Sequence, residues 1–227
     1  LESAVIDAER SIELFKRVRD SYGPHVPVWR YDTILETSLT PYSFHVHNFE
    51  RLCRQLSGST NEVIISYAQF YKKTHQNLDK ASRLRDFTWT DPSMDEKRAL
   101  TSQLALIASA HGIRLSICSQ PEYLAVGSNE ARCIDASRLA LVAGHQFPYR
   151  QKGTRPQCGC HESRDIGDYD TCPHGCVYCY AVRRQELAQV RYKKHRPDSE
   201  FLFTSDAPPD TSRSTRRSLP LYPQSEE

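Results

Sequence analysis

Residues 172 to 181 read CPHGCVYCYA, a C-x3-C-x2-C run formed by Cys172, Cys176 and Cys179. Three thiolates this close can wrap one iron–sulfur cube and leave its fourth iron without a protein ligand. An open iron can chelate the amino and carboxylate groups of S-adenosylmethionine. The reduced 4Fe-4S cluster can then pass one electron to the sulfonium, which breaks to give a deoxyadenosyl radical. The protein's task in such chemistry is to hold the reacting atoms together and keep water out. Tyr178 stands directly before Cys179 and belongs with the cofactor-contacting residues. A structural zinc site is the other reading: it needs four Cys or His ligands, which the triad with His174 or His161 would supply, and Cys158 or Cys160 could join. The bacterial ferredoxin run has two residues between its first cysteines, not three, which argues against an ordinary ferredoxin.

Of eight cysteines, Cys53 falls on the apolar face of an expected helix and reads as core. Setting it and the triad aside leaves Cys118, Cys133, Cys158 and Cys160, a complete set of four. Cys118 falls at a strand end, Cys133 precedes a helix, and Cys158-Gly159-Cys160 lies on a glycine-rich loop. Together they could hold a second, fully ligated cluster, or zinc. Alternatively Cys118 and Cys133 are small buried hydrophobes, the usual state of a free cysteine. Disulfides are the weaker reading, because the first residues carry no signal peptide and the cysteines cluster late.

The elements that must position these groups alternate. Residues 2–21 read as a helix, with Ile12, Phe15 and Val18 at helical spacing and Gly23 as a stop. Residues 26–31 (VPVWRY) read as a buried strand. Thr40-Pro41 opens a helix carrying Val46, Phe49, Cys53 and Leu56. Residues 63–67 (VIISY) form a second strand, and the polar stretch 71–86 reads as loop with some helix. Asp91-Pro92 opens a third helix with Leu100, Leu104 and Ile107. Residues 113–118 (IRLSIC) form a third strand, and Asp135 caps a short helix through Leu141. Short apolar strands joined by helical crossovers predict an α/β fold with a parallel sheet. Three strands are part of a (β/α) TIM-type barrel rather than a closed one. The strand-end residues, where ligands bind in such sheets, are Arg30 and Asp32, then Ser66 and Gln69, then Cys118, Gln120 and Glu122. Arg30 and Asp32 are candidates to bind substrate or nucleotide in catalysis, or else form an internal ion pair. Lys72, Lys73 and His75 could meet an anion.

The sequence starts at Leu1 and its only methionine is Met94, which reads as a piece whose earlier strands are missing. Three segments are expected: residues 1–147 as the partial barrel, 148–203 as a cysteine-rich iron–sulfur segment, and 204–227 as a disordered tail rich in Pro, Ser and Arg. The second segment ends in a basic helix, residues 182–194, with Arg183, Arg184, Arg191, Lys193 and Lys194 able to touch phosphate. No apolar stretch is long enough to span a membrane, and a cytoplasmic location fits the reduced thiols. The 227 residues carry 30 basic and 28 acidic side chains, so net charge makes no global case for nucleic-acid binding.

The string CPHGCVYCYA resembles the cluster motif of the radical S-adenosylmethionine superfamily, especially spore photoproduct lyase-like members. The strings VWRYDTIL, VIISYAQFYKKT, RCID and CGCHESRDIGDYDTCPHGCVYCYA resemble domain-of-unknown-function family 1848 over nearly the whole ordered chain. That resemblance implies a β/α architecture ending in an iron–sulfur motif and assigns no reaction. The superfamily resemblance implies an electron donor such as a flavodoxin or ferredoxin and points to nucleic acid as a substrate class. Two departures stand out. Superfamily members usually carry the three cysteines after the first strand, whereas here they come last. No glycine-glycine-glutamate string is present to bind the amino group of the nucleotide. A circular permutation would deliver the cluster to the barrel mouth from the other end.

Overall fold

A computed structural model describes residues 1–164 and 166–199; the expected tail, residues 204–227, lies outside them. Helix α1 (Ala8–Tyr22) starts where the Asp7 side chain accepts the Arg10 amide and stops at Gly23, whose φ of 98° an L side chain resists. Strand β1 (Trp29–Ile34) follows, then a two-residue strand β2 (Glu36–Thr37) and helix α2 (Tyr42–Leu56). Buried His45, Phe49, Cys53 and Leu56 recur along one face of α2, the helical period that turns an apolar stripe to the core. Thr40 does not cap α2: Pro41 stands at the N-cap, and the Thr40 hydroxyl donates instead to the Leu35 carbonyl at 2.7 Å.

Strand β3 (Glu62–Tyr67) leads into helix α3 (Lys72–Arg85), where loop with some helix was expected. The reason for the difference is visible in its burial. Only Thr74, Leu78 and Ala81 face inward, too few apolar positions for periodicity alone to read. Strand β4 (Trp89–Thr90) pairs antiparallel with β2. Helix α4 (Met94–Ala110) is opened by a Ser93–Glu96 capping box rather than by Asp91. Asp91 instead accepts from the buried Lys97 ammonium at 2.6 Å. Strand β5 (Arg114–Ile117), a 3-10 turn at Pro121–Tyr123, strand β6 (Ser128–Glu130), helix α5 (Ala136–Ala143) and helix α6 (Gln185–Lys194) complete the described chain.

The main sheet has four parallel strands in the order β1-β3-β5-β6. The fold is therefore α/β with a parallel sheet. β6 escapes a sequence reading because Ser-Asn-Glu has no apolar run; its pairing with β5 alone makes it a strand.

Side chains alternate across the sheet. Val63, Ile65 and Tyr67 of β3 and Leu115 and Ile117 of β5 join Phe49, Cys53, Leu100 and Leu104 of α2 and α4 in the main core. The even-numbered residues face the other way. In register they are Arg30 beside Ile64 beside Ser116, and Asp32 beside Ser66. On that face Ile64 packs with Cys118, Ala131 and Val28. Register shifts between Asp32 and Ile34, so Thr33 is an extra residue at the strand end, where a bulge re-aims side chains.

Candidate functional site

Two groups of cysteines meet the strand ends on the even-numbered face. The first comprises Cys118, just after β5, and Cys133, before α5. Their sulfurs stand 3.3 Å apart. Arg30 Nη1 donates to Cys133 Sγ at 2.9 Å, and Arg155 Nη2 reaches Cys118 Sγ at 3.6 Å. Arg30 also grips Asp32: Nη2 lies 2.6 Å and Nε 3.2 Å from Asp32 Oδ2, while the Ser66 hydroxyl donates to the same oxygen at 3.3 Å. The two residues expected in catalysis are thus paired with each other, and Arg30 extends the pair to a sulfur. Burial works against the Arg30 charge, but the bonds to Asp32 win and raise its pKa.

The Cys118 and Cys133 thiols shift each other's ionisation in opposite directions. The bond from Cys133 pushes the Cys118 thiol down to about 5 against the opposing effect of burial, with Ser119, Arg155 and Arg30 helping. The same bond, with burial, pushes Cys133 up. Cys160 accepts from the Ile134 amide at 3.4 Å. Burial opposes ionisation of Cys158, but amide donors at Cys160 and Thr154 outweigh it and bring it to about 7. Cys53 lies apart in the main core, where burial pushes its thiol up to about 12.

The second group is the triad loop, held from four sides. Residues 1–4 pair with it: Val177 N donates to Leu1 O at 3.1 Å, Ala4 N donates to His174 O at 3.0 Å, and Glu2 bridges Cys176 antiparallel. From α3, Lys73 Nζ donates to Val182 O at 2.5 Å and Asn77 Nδ2 donates to Cys179 O at 3.2 Å. Gln185 Nε2 donates to Pro173 O at 2.7 Å. Buried Asp170 accepts from the Arg183 and Arg184 amides and the Arg183 guanidinium. Lys73 is therefore a loop anchor, as is Asn77, which no sequence pattern marks. Val177 and Tyr178 pack against Leu35, Ala68 and Leu78. With the apolar residues of the motif anchored, Cys176 and Cys179 line a cavity of about 180 Å³ with Thr33, Ser66, Gln120 and Arg155.

A more open cleft of about 510 Å³ runs along β1 and shares Thr33 and Tyr178 with that cavity. Cys172 is exposed, whereas Cys176 and Cys179 are half-buried. Burial pushes the Cys176 thiol up, Glu2 adds to this, and Tyr178 opposes it. The Tyr178 hydroxyl donates to Glu2, and burial first, then that carboxylate, raises its pKa.

Other expected ligands have structural partners. Gln120 closes a bidentate pair with the Tyr67 backbone, accepting its N–H at 2.8 Å and donating to its carbonyl at 3.0 Å. His161 is buried beside Tyr149 and its Nδ1 accepts the Ala136 amide at 2.8 Å. His75 packs on Phe70 and Trp89. On the basic helix, Arg191 donates to the Tyr169 carbonyl at 2.7 Å. Among the described residues, no three His, Cys, Asp or Glu side chains already stand at metal-ligand spacing, and no helix is long and apolar enough to cross a membrane.

The family described as Domain of unknown function (DUF1848) matches residues 1–181, which run from the N-terminal strap through the last residue of CPHGCVYCYA. The chain belongs to this family. Both cysteine groups and every strand of the sheet fall inside the DUF1848 match, whereas α6 falls outside it. No curated protein and no solved structure matches the chain.

Proposed function

We propose that the DUF1848 domain binds a 4Fe-4S cluster through Cys172, Cys176 and Cys179 and acts in the manner of the radical S-adenosylmethionine enzymes. The observation that carries this reading is the cavity at the C-terminal strand ends, lined by Cys176 and Cys179 on one side and Ser66 and Gln120 on the other. Parallel sheets bind ligands at that end. The donor set fits a cluster: three thiols from one short loop, one of them exposed and two facing the cavity. At about 180 Å³ the cavity is below the usual range for a ligand of nucleotide size, and the adjoining cleft past Thr33 and Tyr178 supplies the remaining space. On this reading the four-stranded sheet is one portion of a (β/α) barrel.

When bound, the cluster supplies an electron for cleaving the sulfonium of S-adenosylmethionine, drawn from a flavodoxin- or ferredoxin-type donor. The chain's own residues do the positioning. Asn77, Gln185 and the residue 1–4 strap fix the loop carbonyls and amides. Tyr178 closes the cavity on the side of Glu2 and keeps water from the Cys176 sulfur. The substrate lies in the cleft along β1; nucleic acid is the class the lyase resemblance implies.

A structural zinc at the triad is the competing reading, and it needs a fourth ligand. His161 is engaged with Ala136 at the start of α5, which leaves exposed His174 as the nearest histidine in sequence. The experiment is anaerobic reconstitution with iron and sulfide, followed by EPR of the reduced protein with and without S-adenosylmethionine. A cluster signal that shifts with the nucleotide and is absent from Cys176→Ala is the expected result. A signal indifferent to both overturns the proposal.

A further inference from the structure

Cys118, Cys133, Cys158 and Cys160 come from three separate places in the chain and meet on the sheet face opposite α2 and α4. Cys118 and Cys133 touch through their sulfurs at 3.3 Å. Cys160 accepts the amide hydrogen of Ile134, the residue after Cys133, at 3.4 Å. Cys158 lies two residues before Cys160 on the same loop, and the Ser119 hydroxyl lies 3.7 Å from Cys118 Sγ. Cys118 and Cys160 are buried. Two buried thiols, one half-buried and one exposed, gathered at one place bring little to packing that aliphatic side chains would not supply, and their shared property is softness toward metal.

The surroundings match a bound metal in charge. Four thiolates around a divalent ion, or around a cubane core of the same charge, leave two excess negative charges. Two guanidinium groups reach the sulfurs, Arg30 on Cys133 and Arg155 on Cys118. Backbone N–H groups pointing at a metal-bound sulfur are second-shell support of the kind that orients ligands, and the Ile134 amide points this way. The loop bearing Cys158 and Cys160 is shaped for the approach. A Cβ on Gly153 would stand 2.3 Å from the Cys158 carbonyl oxygen and 2.7 Å from its Cβ, so only glycine lets the loop fold back there.

We propose that these four cysteines hold a second metal centre of the closed four-thiolate type, with Arg30 and Arg155 as its charge-balancing donors. Cys118 and Cys133 stand as a contacting pair, and metal binding draws Cys158 and Cys160 to it. A closed centre has no open coordination position. It joins the C-terminal loop to the end of β5, and Arg155 is the side chain shared between it and the triad cavity. The 3.3 Å spacing of Cys118 and Cys133 lies nearer the ~3.8 Å edge of a tetrahedral zinc thiolate with ~2.3 Å bonds than the separation of thiolates bound to different irons of a cube. Zinc is the occupant the spacing favours. The proposal does not depend on the triad.

The test uses the full chain with Cys172, Cys176 and Cys179 all changed to serine, purified anaerobically and assayed for zinc, iron and acid-labile sulfide. About one zinc per chain supports the centre as the spacing favours. About four irons with matching sulfide support the centre with a cluster as its occupant. Either metal must be lost when Cys118→Ser or Cys160→Ser is added. Metal absent from the triad variant, or retained after both added changes, overturns the proposal. Should the added variants not fold, labelling of the triad variant by iodoacetamide decides: Cys118, Cys133, Cys158 and Cys160 resist it until a chelator is added. Equal labelling before and after chelation overturns the proposal.

Discussion

Arg30 holds Asp32 with one part of its guanidinium and reaches Cys133 with another. Nη2 lies 2.6 Å from Asp32 Oδ2, and Nη1 lies 2.9 Å from Cys133 Sγ. Asp32 thus sets the direction in which a fixed positive charge points at the Cys118–Cys133 pair. Lysine would not replace it, because one ammonium cannot present separate donors in a planar fork.

In metal-free protein that arrangement makes one thiolate available at low pH. Cys118, pushed down to about 5, lies below the ordinary thiol value of about 8.5. Its contribution to stability is fully present above about pH 8.5 and is lost as pH falls through about 5. Cys133 shifts the opposite way, so its contribution is lost only as pH rises beyond the ordinary thiol range. Alkylation by iodoacetamide, read by mass spectrometry, is expected to modify Cys118 at about pH 6, where an ordinary thiol is protonated. Arg30→Met moves the midpoint upward. A Cys118 midpoint near the ordinary value in both proteins contradicts a lowered Cys118 thiol.

Cys53 packs in the main core. It is fully buried among Phe49, Leu56 and Leu104 in the core. Cys53→Ser puts a hydroxyl where no partner waits and should cost about 1–3 kcal/mol. The urea midpoint falls accordingly, while metal content stays at the wild-type level. Loss of metal in this variant would move Cys53 into a site.

Gly175 sits inside the triad loop with φ at 69°, and a Cβ there would stand 2.5 Å from the Ser3 hydroxyl. Gly175→Ala is expected to cost about 1–2 kcal/mol from backbone conformation alone, plus the displacement of Ser3. Adding Ser3→Ala removes the second part and leaves the first. Thermal melts of the two variants separate these contributions; equal melting points would show that the strap is not seated against the loop.

Asp170 is buried and accepts from the Arg183 amide first, then from its guanidinium and the Arg184 amide, which hold its carboxyl below the usual aspartate range. A lowered folded value means the stabilisation is present above about pH 3.9 and is lost as pH falls through the folded value. Asp170→Ala should speed hydrogen exchange at the Arg183 and Arg184 amides at neutral pH, whereas Asp168→Ala, which removes an exposed side chain, should not. Unchanged exchange in the first variant would remove Asp170 as the anchor of this loop.

The sequence by itself determined the alternation of helices and strands, because strands such as VIISY are continuous apolar runs and α2 and α4 carry apolar stripes at helical period. The C-x3-C-x2-C spacing and the four further cysteines are also legible in the residues, since spacing and residue type are all that naming them needs. The sequence missed α3 and β6, whose polar residues become helix and strand through burial of three side chains and pairing with β5. Only the tertiary structure decided which groups meet. Strand alternation put Arg30, Asp32 and Ser66 on one face, and parallel register set Asp32 beside Ser66 with Arg30 two residues back along β1. Folding then spent Lys73, Asn77, Gln120 and His161 on holding backbone groups. Those partners lie 25 to 109 residues away in the chain, a separation that local pattern does not encode, because it depends on where the strands and loops come to rest in space.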